Sequence, residues 1–255
     1  MTNLPRTPSF RLDGKRALVT GASRGIGLGG VMALAEAGAH VVMAARNAAQ
    51  IEEAAEQVRA AGYSAEGIAL DVGDHDAMVH SIQKHGPFDI LFNNAGTNEP
   101  MPFVDVTPEN FDMITDLDLK AAFFVAQEVA RGMIAAGKGG SIIHTSSQMG
   151  HVGGIDRAVY CGAKWGIEGV TRASAIELAQ HQIRVNTIAP TFIRTPMTQS
   201  TFDNPERVAW LEDKIKLGRV GEIEDIMGAV LFLASDASAL ITGTSIVIDG
   251  GWTAD

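Results

Sequence analysis

Short apolar runs alternate with stretches of helical periodicity along nearly the whole chain. The first run, Ala17-Leu18-Val19, follows Gly14 and Lys15 and stops at Thr20-Gly21. A helical pattern then spans Gly25 to Ala37 and ends at Gly38. Further strands are predicted at His40 to Ala45, near Ala65 to Leu70, and at Ile90-Leu91-Phe92. Others follow at Ser141 to Thr145, Ile183 to Ile188 and Ser245 to Asp249. Between them the spacing predicts helices over Ala48 to Ala61, His75 to His85, Pro108 to Ala136, Val159 to Gln180 and Ile223 to Ala234. Pro108 suits the first turn of its helix. Only the segment from Pro190 to about Gly221 carries no clear period.

Strands that read as continuous apolar runs, rather than alternating ones, are buried on both faces. Separated by helices, they predict an α/β fold, a single doubly wound parallel sheet with helices on both faces. No linker, charge block or repeat divides the chain, so the expected organisation is an N-terminal arm over 1–13 and one domain over 14–255. The irregular segment over about 190–221 exceeds an ordinary connection and is expected to act as a lid.

Between the first strand and first helix stands Thr20-Gly21-Ala22-Ser23-Arg24-Gly25-Ile26-Gly27. Glycines there permit a tight turn and let a pyrophosphate approach the backbone, while the helix N-terminus offers free N–H groups. In that position the pattern marks a Rossmann-type dinucleotide site, with Gly21, Ser23, Arg24, Gly25, Ile26 and Gly27 as its candidate residues. An acidic residue at the end of the second strand would bind the ribose hydroxyls, and an arginine would accept a 2′-phosphate. This chain reads Met43-Ala44-Ala45-Arg46-Asn47, with no carboxylate. Arg46, joined by Arg24, therefore favours NADP(H), with NAD(H) as the alternative. The competing reading is a pair of solvated surface arginines.

The charge balance narrows the partners. With 30 acidic and 20 basic residues the net charge is −10, which argues against a nucleic-acid partner. The longest apolar run, Ile226 to Ala234, is too short to span a membrane. One cysteine cannot form an internal disulfide, and Met1 to Asp13 holds no apolar block of a signal peptide. The expected location is cytoplasmic. His75, His80 and His85 are five apart and share no helix face, so no metal site is expected.

The glycine turn, Asn93-Asn94-Ala95-Gly96 after the fourth strand, Ser147, and Tyr160-Cys161-Gly162-Ala163-Lys164 together resemble the short-chain dehydrogenase/reductase family. The likeness runs from about Gly14 to the C-terminus and includes Asp249-Gly250-Gly251-Trp252. It implies a nicotinamide-dependent oxidoreductase acting on a carbonyl or a secondary alcohol. Tyr160 and Lys164 are four apart on a helix and share one face. An ammonium beside the tyrosine, with the positive nicotinamide of the oxidised cofactor, favours the phenolate over a free phenol of pKa about 10. The resemblance makes Tyr160 the proton donor in reduction and the base in oxidation, with Ser147 fixing the substrate oxygen. Lys164 is implied to hold the nicotinamide ribose. Asn93, Ala95, Gly96, Pro190, Ile193 and Thr195 are implied cofactor contacts. Asp71-Val72 resembles the adenine-binding pair, though a strand-end aspartate that caps a turn reads the same way.

Two positions depart from the family pattern. Asp118 stands where members commonly carry an asparagine that orders water beside the lysine, and the usual Pro-Gly after the sixth strand is Pro190-Thr191. Asp118 is expected to pair with Lys164 or accept from a relay water. By resemblance the substrate pocket takes residues after Ser147, around Gly96 and from the lid. Gln148, His151 and Phe192 are the main candidates, with Asn98, Glu99 and Trp210 beside them. Several are polar, which favours a sugar, sugar acid or polyol over rim residues that merely face solvent. A 3-oxoacyl-thioester reductase and a non-catalytic cofactor-binding sensor are the alternatives. The family habit of pairing long helices makes a homotetramer the expected assembly.

Overall fold

Seven parallel strands form the sheet of the computed structural model, which describes residues 4–255. They are β1 (Arg16–Thr20), β2 (His40–Ala45), β3 (Ala65–Ala69), β4 (Ile90–Asn93), β5 (Gly140–Thr145), β6 (Ile183–Pro190) and β7 (Ser245–Ile248). Their spatial order is β3-β2-β1-β4-β5-β6-β7. The order reverses direction between β1 and β4, where doubly wound sheets open a crevice at the carboxyl ends of their strands. Thr20, Asn93 and Thr145 end β1, β4 and β5 on that side.

Helices cover both faces, as the unbroken apolar strands require. On one face α1 (Gly25–Glu36), α2 (Ala48–Ala60) and α9 (Glu224–Ala234) pack against β1, β2 and β4 through Val31, Leu34, Ile51, Val58, Ile226 and Leu233. On the other, α3 (His75–His85), α5 (Ala122–Ala136) and α6 (Ala158–Leu178) bury Met78, Ile82, Val125, Val129 and Ala175 against Leu18, Val42, Leu91 and Ile142.

Two segments differ from the periodicity. The continuous helix predicted from Pro108 to Ala136 is three pieces: α4 (Pro108–Thr115), a π-helical turn over Asp116–Ala121, and α5. The wider turn adds a residue without breaking the helix, and such turns cluster at functional sites. The aperiodic stretch after Pro190 contains α7 (Gln199–Phe202) and α8 (Pro205–Lys214). Asn204 caps α8 by accepting from the Arg207 N–H at 3.1 Å. Leu211 and Ile215 bury against Val220, Phe192 and Trp252, which docks this segment on the C-terminal turn. Elsewhere element boundaries fall within two residues of those expected, and the His75–His85 helix matches at both ends.

Candidate active site

A cleft of about 450 Å³ lies at the carboxyl ends of β1, β4, β5 and β6. Most of the expected cofactor residues line it: Gly21, Ser23, Arg24, Gly25 and Ile26 of the glycine turn, Arg46, Asp71 and Val72. Ala95, Gly96, Pro190, Ile193 and Thr195 complete that wall. Gly21 adopts φ +64, the left-handed region open to glycine, and so turns the chain from β1 into α1. Gly27 lies buried beneath this turn instead of on the cleft wall, packed on the Gly21 carbonyl.

Asn93 also lies below the cleft. Its amide donates to the Ala122 carbonyl at 2.7 Å and reaches His144 Nδ1 at 3.3 Å, while its carbonyl oxygen accepts from the Thr20 hydroxyl. Thr20 Oγ1 in turn accepts from the backbone N–H groups of Asn94 and Ala95 at 2.9 and 3.0 Å. Asn93 is thus a brace that holds the Ala95-Gly96 wall against β1, with no surface on the cleft.

Three of the expected catalytic side chains, Ser147, Tyr160 and Lys164, line the same cleft. Ser147 follows β5, and its hydroxyl accepts from the Met149 N–H at 3.1 Å, leaving its proton to donate elsewhere. Tyr160 and Lys164 lie on the same face of α6, with Lys164 Nζ 5.4 Å from the centre of the Tyr160 ring. Lys164 Nζ donates to the Thr145 carbonyl at 3.0 Å and forms a buried ion pair with Asp118 Oδ1 at 2.8 Å. An ammonium has three protons, so one donor remains for the cleft. Asp118 Oδ2 accepts from the Thr97 N–H at 2.9 Å. The carboxylate fits because Gly96 has no side chain: a Cβ there would stand 2.8 Å from Asp118 Oδ1. Asp118 therefore joins the turn after β4 to the lysine of α6, and the π-helical turn carries it into that gap.

Burial alone would lower the pKa of Lys164, but the charges of Asp118 and Tyr160 outweigh it and hold the ammonium above its ordinary range. Burial also pushes the Tyr160 hydroxyl up. Lys164 pulls it down as expected, Asp118 pushes it up again, and the Ser147 hydrogen bond and Arg157 pull down. The balance leaves Tyr160 above its ordinary value, contrary to the lowering that the lysine alone would bring. The protein itself keeps the phenol protonated.

On the substrate side, Gln148 and Phe192 line the cleft with Asn98, Thr97, Met149 and Met197. His151 does not. Its Nε2 meets the Ser245 hydroxyl at 3.0 Å and the buried Glu168 carboxylate at 3.4 Å. Glu168 also accepts from the hydroxyls of Thr187 and Ser245, so the ring is drawn toward β7 and away from the cleft. Trp210 packs edge-on against Trp252 outside the cleft lining. Sequence reasoning overlooked Arg157, which lines the cleft three residues before Tyr160; that spacing on one helix face was its available signal.

The cleft fits a phosphorylated dinucleotide. Arg24 and Arg46 are exposed at its outer end and, among the described residues, form no ion pair that would hold them from a 2′-phosphate. Deeper in, Thr191 Oγ1 and Gln148 Oε1 are buried on lining residues without a partner from the protein. Polar atoms placed so call for a ligand's hydrogen bonds.

Comparison with known proteins follows the same outline. A family model described as enoyl-(acyl carrier protein) reductase matches residues 21–253. The chain is 40% identical to L-xylulose reductase of Bos taurus over 245 residues, 96% of this chain and 99% of that one. A short-chain type dehydrogenase/reductase from Mycobacterium marinum superposes with a TM-score of 0.90 at 40% identity, covering 96% of this chain and 98% of that one. Gluconate 5-dehydrogenase from Burkholderia cenocepacia, solved with NADP and tartrate, gives 0.93 at 35% identity over 96% and 98%.

Proposed function

The chain belongs to the short-chain dehydrogenase/reductase family, and from that premise we propose that Ser147, Tyr160 and Lys164 interconvert a ketone and a secondary alcohol on a polyhydroxylated small molecule. The observation that carries this reading is the convergence of the three side chains, with the Asp118 ion pair behind them, on one cleft whose outer end carries Arg24 and Arg46. NADP(H) is the cofactor: the glycine turn, Arg24 and Arg46 would hold its phosphates, and Asp71 and Val72 its adenine. When bound, its nicotinamide supplies hydride to the carbonyl carbon or takes it back from the alcohol.

The rest is done by the protein. Ser147 donates a hydrogen bond to the substrate oxygen and fixes its position. Tyr160, protonated at neutral pH, gives its proton to that oxygen in reduction and recovers it in oxidation. Lys164 stays charged between Asp118 and Thr145 and turns its remaining donor toward the cleft, where it would hold the nicotinamide ribose. Residues over about 190–221, including α7 and α8, serve as the lid over the substrate. A sugar or polyol suits the polar wall of Asn98 and Gln148, and relatives that reduce xylulose or oxidise gluconate support it.

The enzyme is proposed to be a cytoplasmic homotetramer. Among the described residues no helix is long and apolar enough to cross a membrane. Phe123 on α5, Trp165 and Ile176 on α6, and Val247 on β7 stay exposed on outer faces, as apolar surfaces that meet other subunits do. Light scattering at micromolar concentration checks the assembly; a monomer would refute it. The activity is checked by NADPH oxidation with ketoses, keto-sugar acids, small diones and a 3-oxoacyl thioester. Turnover confined to the thioester would replace this reading, and NADPH binding without turnover of any of them would make the protein a sensor.

A further inference from the structure

Arg157 is the residue just before α6, one helical turn ahead of Tyr160. Its guanidinium lines the cleft, half-buried, and its Nη1 donates to Asn98 Oδ1 at 3.2 Å. Asn98 is neutral, and Arg157 forms no ion pair among the described residues. Its setting on the substrate side is therefore uncompensated, unlike that of Lys164, whose charge Asp118 neutralises. Burial and the nearby charge of Arg207 both pull the Arg157 pKa down, against Tyr160, Asp156 and Cys161, which pull it up. Arg207 belongs to α8 on the lid, with its guanidinium 4.3 Å from the centre of the Trp210 ring. It too lacks an ion pair among the described residues. Two guanidinium groups, one on the cleft wall and one on the lid outside the cleft lining, thus act on each other as like charges in a chain of net charge −10.

Half-burying an uncompensated cation beside a like charge is unfavourable unless an anion joins it. A planar guanidinium held at one edge by Asn98 leaves its other donors in the fork that matches a carboxylate. Building on the ketone–alcohol reading above, we propose that the substrate is an anion, a polyhydroxy acid or its keto form, whose carboxylate is bound by Arg157 while its carbonyl lies at Tyr160, the Arg207 charge on the lid adding to the attraction from farther off. A neutral ketose would leave the half-buried Arg157 charge without an ion-pair partner. The buried Gln148 Oε1, without a protein partner, accepts from a hydroxyl of the same substrate.

The test compares substrates of one chain length, 5-ketogluconate and fructose, in wild type, Arg157→Gln, Arg157→Lys and Arg207→Gln. The wild type is expected to favour the keto acid in kcat/KM. Arg157→Gln should cut that preference at least tenfold, Arg157→Lys should restore part of it, and Arg207→Gln should cut it less. A second readout needs no turnover: the melting temperature of the NADP-bound protein with tartrate and with threitol, its uncharged counterpart, at equal ionic strength. Tartrate should stabilise the wild type more than threitol does, and Arg157→Gln should erase the difference. Turnover of both sugars with a preference untouched by Arg157→Gln, or a tartrate effect unchanged in that variant, overturns this inference and leaves the ketone–alcohol reading standing. Failure to turn over either sugar while a 3-oxoacyl thioester is reduced overturns both.

Discussion

Asp118 Oδ1 lies 2.8 Å from Lys164 Nζ, with both side chains buried, in a fold where the residue at this point of the helix is commonly asparagine. The pair brings together the π-helical turn and α6, 46 residues apart in sequence, and Thr97 adds a third anchor through its N–H. A carboxylate here places negative charge close to the Tyr160 phenol. It secures the ammonium and at the same time opposes ionisation of Tyr160. Both effects favour the protonated phenol and the charged lysine.

Asp118→Asn removes that opposing charge. Tyr160 then ionises more readily, so the acid limb of the kcat/KM profile for alcohol oxidation should move to lower pH. At neutral pH kcat should change less than about tenfold, about 1.4 kcal/mol in barrier, because Thr145 still holds the lysine. Asp118→Ala leaves the ammonium short of a partner and should cost about 3 kcal/mol of stability, the usual penalty for half of a buried ion pair. Profiles and melting temperatures of both variants decide this. A kcat gain well above tenfold for Asp118→Asn would mean that the aspartate disables the relay.

Tyr160→Phe keeps the ring against Lys164 and removes the exchangeable proton. Turnover should fall by about 10²–10⁴-fold, the span of general acid–base catalysis. NADPH affinity, measured by fluorescence titration, should stay nearly intact, since the glycine turn and arginines lie elsewhere in the cleft. Retention of most of the wild-type kcat would place the proton donor on another group.

The sheet and the placement of Tyr160 beside Lys164 were legible because their signals are local. Short continuous apolar runs bounded by glycine, such as Ala17-Leu18-Val19 before Thr20-Gly21, read as strands buried on both faces, and Tyr160 and Lys164 are neighbours by helix geometry alone. Long-range pairings left no such trace. His151 follows Ser147 closely, yet Glu168 and Ser245, 17 and 94 residues away, decide where its ring points. Asn93 lies in a cofactor motif but is spent on Thr20, Ala122 and His144. The π-helical turn disturbs a 3.6-residue period too little to be read. Helix α8 has a sparse apolar face around Leu211, though Asn204-Pro205 was a readable start signal.

Arg46→Ala should lower the preference for NADPH over NADH. Arg46 is exposed at the cleft's outer end, next to Asn47, whose side chain is already used in capping α2. A charge-assisted hydrogen bond to a dianionic phosphate contributes about 1.5–3 kcal/mol, so the ratio of kcat/KM for the two cofactors should drop by about 10- to 100-fold. Arg24→Ala should act in the same direction. A wild type that favours NADH, or a ratio unmoved in both variants, would remove the arginines from cofactor choice.

The floor of the site also predicts how the protein responds to acid. His144 lies fully buried on β5, beside Thr145, whose carbonyl holds Lys164. The Asn93 amide donates to its Nδ1. Burial first, and the Lys164 charge second, depress its pKa from 6.5 to about 4. The unfolded chain therefore binds more protons than the folded one between those values, and stability rises with pH across that window. The contribution of His144 is complete above about pH 6.5 and is lost as pH falls toward 4, for a total of about 3 kcal/mol. Urea unfolding between pH 7 and pH 4.5 should show the loss in the wild type. His144→Gln and His144→Leu have no titrating ring, so each should lose less over the same interval, whatever its stability at pH 7. Because the comparison is of slopes, acid-sensitive carboxylates shared by all three proteins cancel. Equal slopes in all three would mean that His144 is not buried in its neutral form, and the Asn93–His144 support beneath Lys164 would have to be redrawn.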